Sequence, residues 1–162
     1  MEQQLEELIN TYGEKLLRYA TSILYNHQDA EDVVQDVFLT VFRRGAIEEH
    51  QNLSAWLYKI TYNKSINIIR RRKFLVFGSI PESTVVSENT GFSEEMLVGL
   101  GLLKPEERAL LYGRILEGYS YEELSKQMGK SEATLRKRYE RAKQKLAKHL
   151  ESYHSQRGQN NE

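Results

Sequence analysis

The sequence predicts an all-α protein: two small helical domains joined by a flexible linker, the C-terminal one a helix-turn-helix. Three observations predict it. Apolar residues recur at i, i+3 and i+4 through most of the chain, the period of helices that bury one face. Glycine and proline are sparse, 10 and 2 in 162 residues, which disfavours a turn-rich β architecture. Between Phe74 and about Phe92 the period dissolves around Gly78, Pro81 and Gly91, dividing the chain into two patterned halves.

The elements follow in order. Leu5, Leu8, Ile9, Tyr12, Leu16, Tyr19, Ala20 and Ile23 mark an amphipathic first helix. Asn26-His27-Gln28 interrupts it, and Asp29 stands where an N-cap belongs, with Glu31 and Asp32 in the first turn of a second helix. Val33, Val34, Val37, Phe38, Val41 and Phe42 form its apolar face, and Arg43-Arg44-Gly45 closes it. A polar loop from Glu48 to Asn52 leads into a third helix over 53–73. After the linker, Pro105 suits a first helical position and Gly118 a stop. Ser120-Tyr121-Glu122-Glu123 is a capping box, Gly129 ends that short helix, and Ser131 caps a last one striped with Leu135, Tyr139, Ala142, Leu146 and Leu150.

Bulk composition excludes several classes. No cysteine means no disulfide framework and no thiol chemistry, as in a reducing compartment. No apolar run approaches the roughly 18 residues that span a bilayer, and the acidic start MEQQLEELIN is not a secretion signal. A soluble, cytoplasmic protein is expected. Lys+Arg and Asp+Glu balance at 23 each, yet the balance hides blocks. Residues 1–58 carry net −6, 59–73 net +6, 74–125 net −6 and 126–150 net +7. Two basic patches between acidic stretches point to two contacts with polyanions.

The first patch is KITYNKSINIIRRRK. On a helical wheel Leu57, Ile60, Thr61 and Ile68 share one side, with Lys64 intruding among them, while Lys59, Asn63, Asn67 and Arg70 share another. Amides beside cations hydrogen-bond base edges as well as phosphates. Arg71, Arg72 and Lys73 crowd the helix end, where the dipole also favours them. Trp56, Tyr58 and Tyr62 offer rings for stacking, although Trp56 beside Leu53, Leu57 and Ile60 also reads as core. The second patch lies on the helix-turn-helix. Ser131, Glu132, Thr134, Arg136, Lys137 and Arg138 stand where a recognition helix meets base edges, with Arg141, Lys143, Lys145 and Lys148 further along for phosphates.

DAEDVVQDVF, residues 29–38, has the opposite character: Glu31, Asp32, Gln35 and Asp36 face away from the valines. It reads as an ordinary solvated face, as a cation site on Asp32 and Asp36, or as a docking surface for a basic or polar partner. The four histidines are scattered, and phosphate loops and nucleophile elbows are absent from the sequence, so it reads as a binder without catalytic residues, metal or cofactor.

In this order, DAEDVVQDVF, LSAWLYKITYNKSINIIRRRK and LLKPEERALLYGRILEGYSYEELSKQMGKSEATLRKRYERAKQKL resemble an extracytoplasmic-function (ECF) sigma factor of the sigma-70 family over about residues 5–150. The resemblance implies a promoter-specificity subunit of bacterial RNA polymerase. Residues 1–73 would be region 2, 74–95 a linker, and 96–162 region 4 with a polar tail. Asp29, Glu31, Asp32, Gln35, Asp36 and Phe38 would dock on core polymerase. Asn52, Trp56, Lys59, Tyr62, Asn63, Asn67, Arg70, Arg71, Arg72 and Lys73 would hold the opened −10 element. Ser131, Glu132, Thr134, Arg136, Lys137, Arg138, Arg141 and Lys145 would read the −35 duplex. An anti-sigma factor is an implied partner, and membrane insertion is not. The acidic surroundings would discourage the free protein from binding DNA alone. Asn67 stands where the family usually has aspartate, Lys64 where it has an apolar residue, and Thr134-Leu135-Arg136-Lys137-Arg138 lacks the serine more usual before the last arginine. Two other readings remain at this stage: a stand-alone helix-turn-helix regulator, and a metal-dependent helical phosphohydrolase built on Asp32 and Asp36.

Overall fold

The computed structural model describes residues 2–45, 52–75 and 93–159. Among these residues every regular element is a helix: α1 (Glu2–Leu24), α2 (His27–Arg44), α3 (Leu53–Leu75), α4 (Glu94–Gly101), α5 (Pro105–Ile115), α6 (Tyr121–Met128) and α7 (Glu132–Gln159). The all-α, two-part architecture expected from the sequence is the one observed. Among the described residues no helix is long and apolar enough to cross a membrane. The loop expected before Asn52 and the linker's interior, residues 76–92, lie outside the described residues.

The first half is a three-helix bundle. Leu16, Tyr19 and Ile23 of α1, Val33, Val37 and Val41 of α2, and Leu57, Tyr58 and Thr61 of α3 are all but completely buried, at the spacing of one helical face each. The cap of α2 falls three residues earlier than Asp29: Asn26, extended at φ −150°, accepts the Asp29 N–H at 3.1 Å. Both residue types cap well, and the turn decides between them. Tyr25 takes φ 54°, in the left-handed region, which ends α1 and leaves Asn26 poised over the next helix. Gly45 at φ 62° closes α2 as a left-handed cap.

The second half contains a helix without a clear sequence signal. Ser93 Oγ accepts the Met96 N–H at 3.2 Å and starts α4 inside the stretch assigned to the linker. Two glycines weaken its helical signature, yet Gly99 is there for packing. A Cβ on Gly99 would fall 2.5 Å from Leu146 Cδ1, so glycine lets α4 lie directly on α7. The capping box of α6 forms reciprocally, with Ser120 N–H to Glu123 Oε2 at 2.8 Å and Glu123 N–H to Ser120 Oγ at 3.1 Å. Gly129 turns at φ 67°, and Ser131 Oγ accepts the Thr134 N–H at 3.2 Å, completing helix, turn and helix. The last helix continues past Leu150 to Gln159, so most of the polar tail is helical.

The halves are packed together, α5 against α1 and α6 against α3. One core includes Tyr19, Ile23, Leu57 and Tyr58 from the first half with Leu110, Tyr112 and Leu124 from the second. Ring centroids lie 5.0 Å apart for Tyr19–Tyr58, 5.3 Å for Tyr19–Tyr112 and 5.5 Å for Tyr58–Tyr119. At the centre of the junction the Arg108 side chain of α5, 7% exposed, donates to Ser22 O at 2.7 Å, Ile23 O at 2.6 Å and Leu103 O at 2.6 Å. Ser22 and Ile23 are in the last turn of α1, whose carbonyls have no partner within their own helix. Tyr25 Oη donates to Leu97 O of α4, and its ring lies 5.6 Å from the Arg108 guanidinium. Tyr58 Oη donates to Glu117 Oε1 at 2.7 Å.

Candidate functional site

Three surfaces carry the predicted residues. On α2, Glu31, Asp32, Gln35 and Asp36 are exposed and aligned by the 3.6-residue repeat. One acid of this group and one beside it are engaged with α3. Asp36 pairs with Lys64 at 2.6 Å, and half-buried Asp29 with Arg72 at 2.5 Å. Lys64, an intruder on the apolar side of its wheel, thus reaches outward to a carboxylate. Phe38 is buried, so it shapes this surface from beneath. Among the described residues no group of three or more His, Asp or Glu side chains is gathered to hold a metal ion, and Asp36 already faces an ammonium. Beside the acidic face runs a groove of about 830 Å³ between α1 and α2, lined by Leu5, Ile9, Val34, Leu39 and Phe42. Ile9, Leu39 and Phe42 are large exposed apolar residues. Leu39 escaped sequence reasoning because it stands outside the valine stripe; its sign was an apolar residue on the polar face.

On α3, Lys59, Asn63, Asn67 and Arg70 are exposed together, as the wheel requires, with Arg71 and Lys73 exposed at the helix end. Asn52 Oδ1 accepts the Ala55 N–H at 3.0 Å, so this side chain caps α3. Tyr62 is buried and Trp56 is half-buried. Burial pushes the Tyr62 hydroxyl above its ordinary range, with Glu106 adding to the shift. Opposite lies a cleft of about 730 Å³ shared with α6, where Asn52, Trp56 and Lys59 face Glu122, Glu123 and Lys126.

On α7, Ser131, Glu132, Arg136, Lys137, Arg141 and Lys145 are exposed, and Thr134 and Arg138 half-buried. Ser131 donates to Thr134 Oγ1 at 2.8 Å, so both hydroxyls serve the helix start. The Arg136 guanidinium lies 4.8 Å from the Tyr121 ring centre, a cation–π contact that fixes its direction. Lys145 approaches Glu107 at 3.5 Å. The surface therefore combines a positioned arginine with long cations that have room to move.

Residues 8–74 match sigma-70 region 2, and residues 93–146 match sigma-70 region 4. The ECF RNA polymerase sigma factor SigE of Mycolicibacterium smegmatis is 28% identical over 165 aligned residues that cover 95% of this chain, which spans 64% of that relative's length. The RNA polymerase sigma factor YlaC of Bacillus subtilis is 24% identical, with 90% of this chain and 91% of the relative aligned. Among solved structures, RpoE of Bartonella quintana, bound to the anti-sigma factor NepR, superposes with a TM-score of 0.73 at 23% identity. That superposition covers 92% of this chain and 98% of the other. CnrH, in complex with the cytosolic domain of CnrY, superposes at 0.64 with 22% identity, covering 94% and 90%.

Proposed function

The chain belongs to the sigma-70 family, in its ECF branch, and from that premise we propose that it binds core RNA polymerase and directs initiation at promoters carrying −10 and −35 elements. The observation that carries the reading is the presence of two separate exposed cationic faces on one chain, each suited to nucleic acid. One is the exposed stripe Lys59, Asn63, Asn67 and Arg70 on α3; the other is the start of α7 around Arg136 and Lys137. A stand-alone regulator needs only the second.

In this proposal residues 1–73 form region 2, and region 4 starts at Ser93, which caps α4, rather than at 96, so the linker ends at 92 rather than 95. Glu31, Asp32, Gln35 and Asp36 meet polymerase, with Phe38 behind them; Asp29 holds the end of α3 through Arg72. On the −10 strand, Lys59, Arg70, Arg71 and Lys73 bind phosphate while Asn63 and Asn67 read bases. Trp56 and Tyr62 support that face, and Asn52 caps its helix. On the −35 duplex, Arg136, Lys137 and Glu132 reach base edges. Arg138, Arg141 and Lys145 take phosphates, while Ser131 and Thr134 set the helix start. The chain contributes specificity and no catalysis of its own, acts in the cytoplasm beside polymerase, and meets an anti-sigma factor as a partner.

The test combines the purified protein, core polymerase and random-fragment genomic DNA, and maps the 5′ ends of transcripts. Starts that depend on the protein and share two spaced upstream motifs are expected. Protein-dependent duplex binding without polymerase, and without new starts, would overturn the reading in favour of a regulator.

A further inference from the structure

We infer that the α3–α6 cleft is a binding site for a small organic anion, a planar ring carrying a phosphate or carboxylate group. Such a site needs neither polymerase nor promoter and is independent of the function proposed above. At about 730 Å³ the cleft has the size of sites that enclose small molecules. It also lies where such sites concentrate, between two packed units.

Two buried donors in its lining lack an acceptor. Gln127 of α6 is 4% exposed, and its Nε2 has no hydrogen-bond partner among the described residues. The same holds for Nε of Arg114 at the end of α5. A buried donor without an acceptor forfeits the hydration it had in the unfolded chain, so such groups are rare unless a ligand or water supplies the acceptor. The rest of the Arg114 side chain is held firmly. Its Nη1 donates to Tyr119 O at 2.8 Å, and the guanidinium lies 4.4 Å from the Tyr121 ring centre and 5.7 Å from that of Tyr139. Nothing retains Nε2 of Gln127, so a rotation of that amide toward a ligand gives up no hydrogen bond of its own.

The charges in the cleft select the ligand. Glu123 already accepts the Ser120 N–H at 2.8 Å, and Glu122 pairs with Lys126 at 3.5 Å. Lys59 on the α3 wall and Arg114 on the other have no carboxylate partner among the described residues. Guanidinium, amide and ammonium are all donors to an oxyanion, and the charged ones make the stronger bonds. Half-buried Trp56 gives the α3 wall an aromatic surface for the ring.

Trp56 is the only tryptophan in the chain, so its emission reports on the cleft in the full-length protein. Adenosine monophosphate, benzoate, adenosine and inorganic phosphate are titrated separately. The nucleotide or benzoate should give a saturable change, the stronger of the two telling phosphate from carboxylate. Adenosine and inorganic phosphate should bind at least tenfold more weakly than the nucleotide. Gln127→Met and Arg114→Lys should each weaken binding roughly tenfold, as expected when one hydrogen bond to a charged group is lost. Because Gln127→Met removes an unpartnered donor, its thermal midpoint should hold or rise, and it serves if Arg114→Lys fails to fold. A marked fall in that midpoint would overturn the reading of Nε2 as a donor kept for a ligand. No saturable response to the nucleotide or to benzoate would overturn the site. Adenosine or inorganic phosphate binding as tightly as the nucleotide would overturn the ligand class, and full affinity in both variants would overturn these donors.

Discussion

Lys64 sits on a helix side otherwise committed to the bundle, and its ammonium finds Asp36 at 2.6 Å. Lys64 is half-buried and Asp36 exposed, 27% and 55% at the side chain, so solvent screens the pair and it contributes about 1 kcal/mol to stability. Asp36→Asn should therefore leave the urea midpoint nearly unchanged while weakening binding to core polymerase severalfold. Equal affinity for wild type and variant would remove Asp36 from the docking surface. The same residue shows what a sequence conveys and what it withholds. The wheel flags Lys64 as out of place, but a partner 28 positions away follows no local period. Asp29 and Arg72 are the same case: charge and place were legible, pairing was not. Phe38 is buried as its place on the apolar face of α2 requires, whereas Tyr62 is legible as an aromatic residue on the right helix and its burial is not.

At the scale of the element, caps carried most of the legible information. Ser120, Glu123, Gly129 and Ser131 define α6 and the start of α7 through bonds spanning three residues, a distance that local sequence encodes. The helix α4 was obscured because its glycines answer to a neighbour. Gly113 makes the same point from inside α5. A Cβ there would lie 2.7 Å from Cδ2 of fully buried Leu124, so the absence of a side chain sets how closely α5 and α6 approach. Gly113→Ala should cost about 1–3 kcal/mol by overpacking, despite the better helix propensity of alanine. Urea denaturation with an unchanged slope and a lower midpoint is the expected result. A gain in stability would mean that Leu124 has room to move.

For the whole molecule, the junction is lined with tyrosines that resist ionisation. Burial is the first cause at Tyr19, Tyr58, Tyr112 and Tyr119, and Glu117 reinforces it at Tyr58 through their hydrogen bond. Tyr112 is pushed up to about 12 from 10.0. A group whose folded value lies above its unfolded one stabilises fully below the unfolded value and less as pH rises toward the folded one. Stability should therefore hold up to about pH 10 and fall between 10 and 12, where the unfolded chain releases these protons first. Stepwise tyrosinate absorbance, with a late fraction that appears only on unfolding, checks this. All ten tyrosines titrating together near their ordinary value would contradict the packed junction.

The Arg108 contacts have a consequence for how such junctions are recognised across related sequences. A guanidinium that bonds to a neighbour's carboxylate leaves a correlated pair of positions, because losing either side chain disrupts the contact. Arg108 bonds to the main chain of Ser22 and Ile23, which any residues at those positions would supply. Substitution in α1 leaves the acceptors in place, so no compensating change is demanded and no co-varying pair records the contact. At this contact the two halves can be tightly coupled in energy while the partner positions in α1 drift freely, whereas a side-chain pair such as Tyr58–Glu117 ties both of its positions.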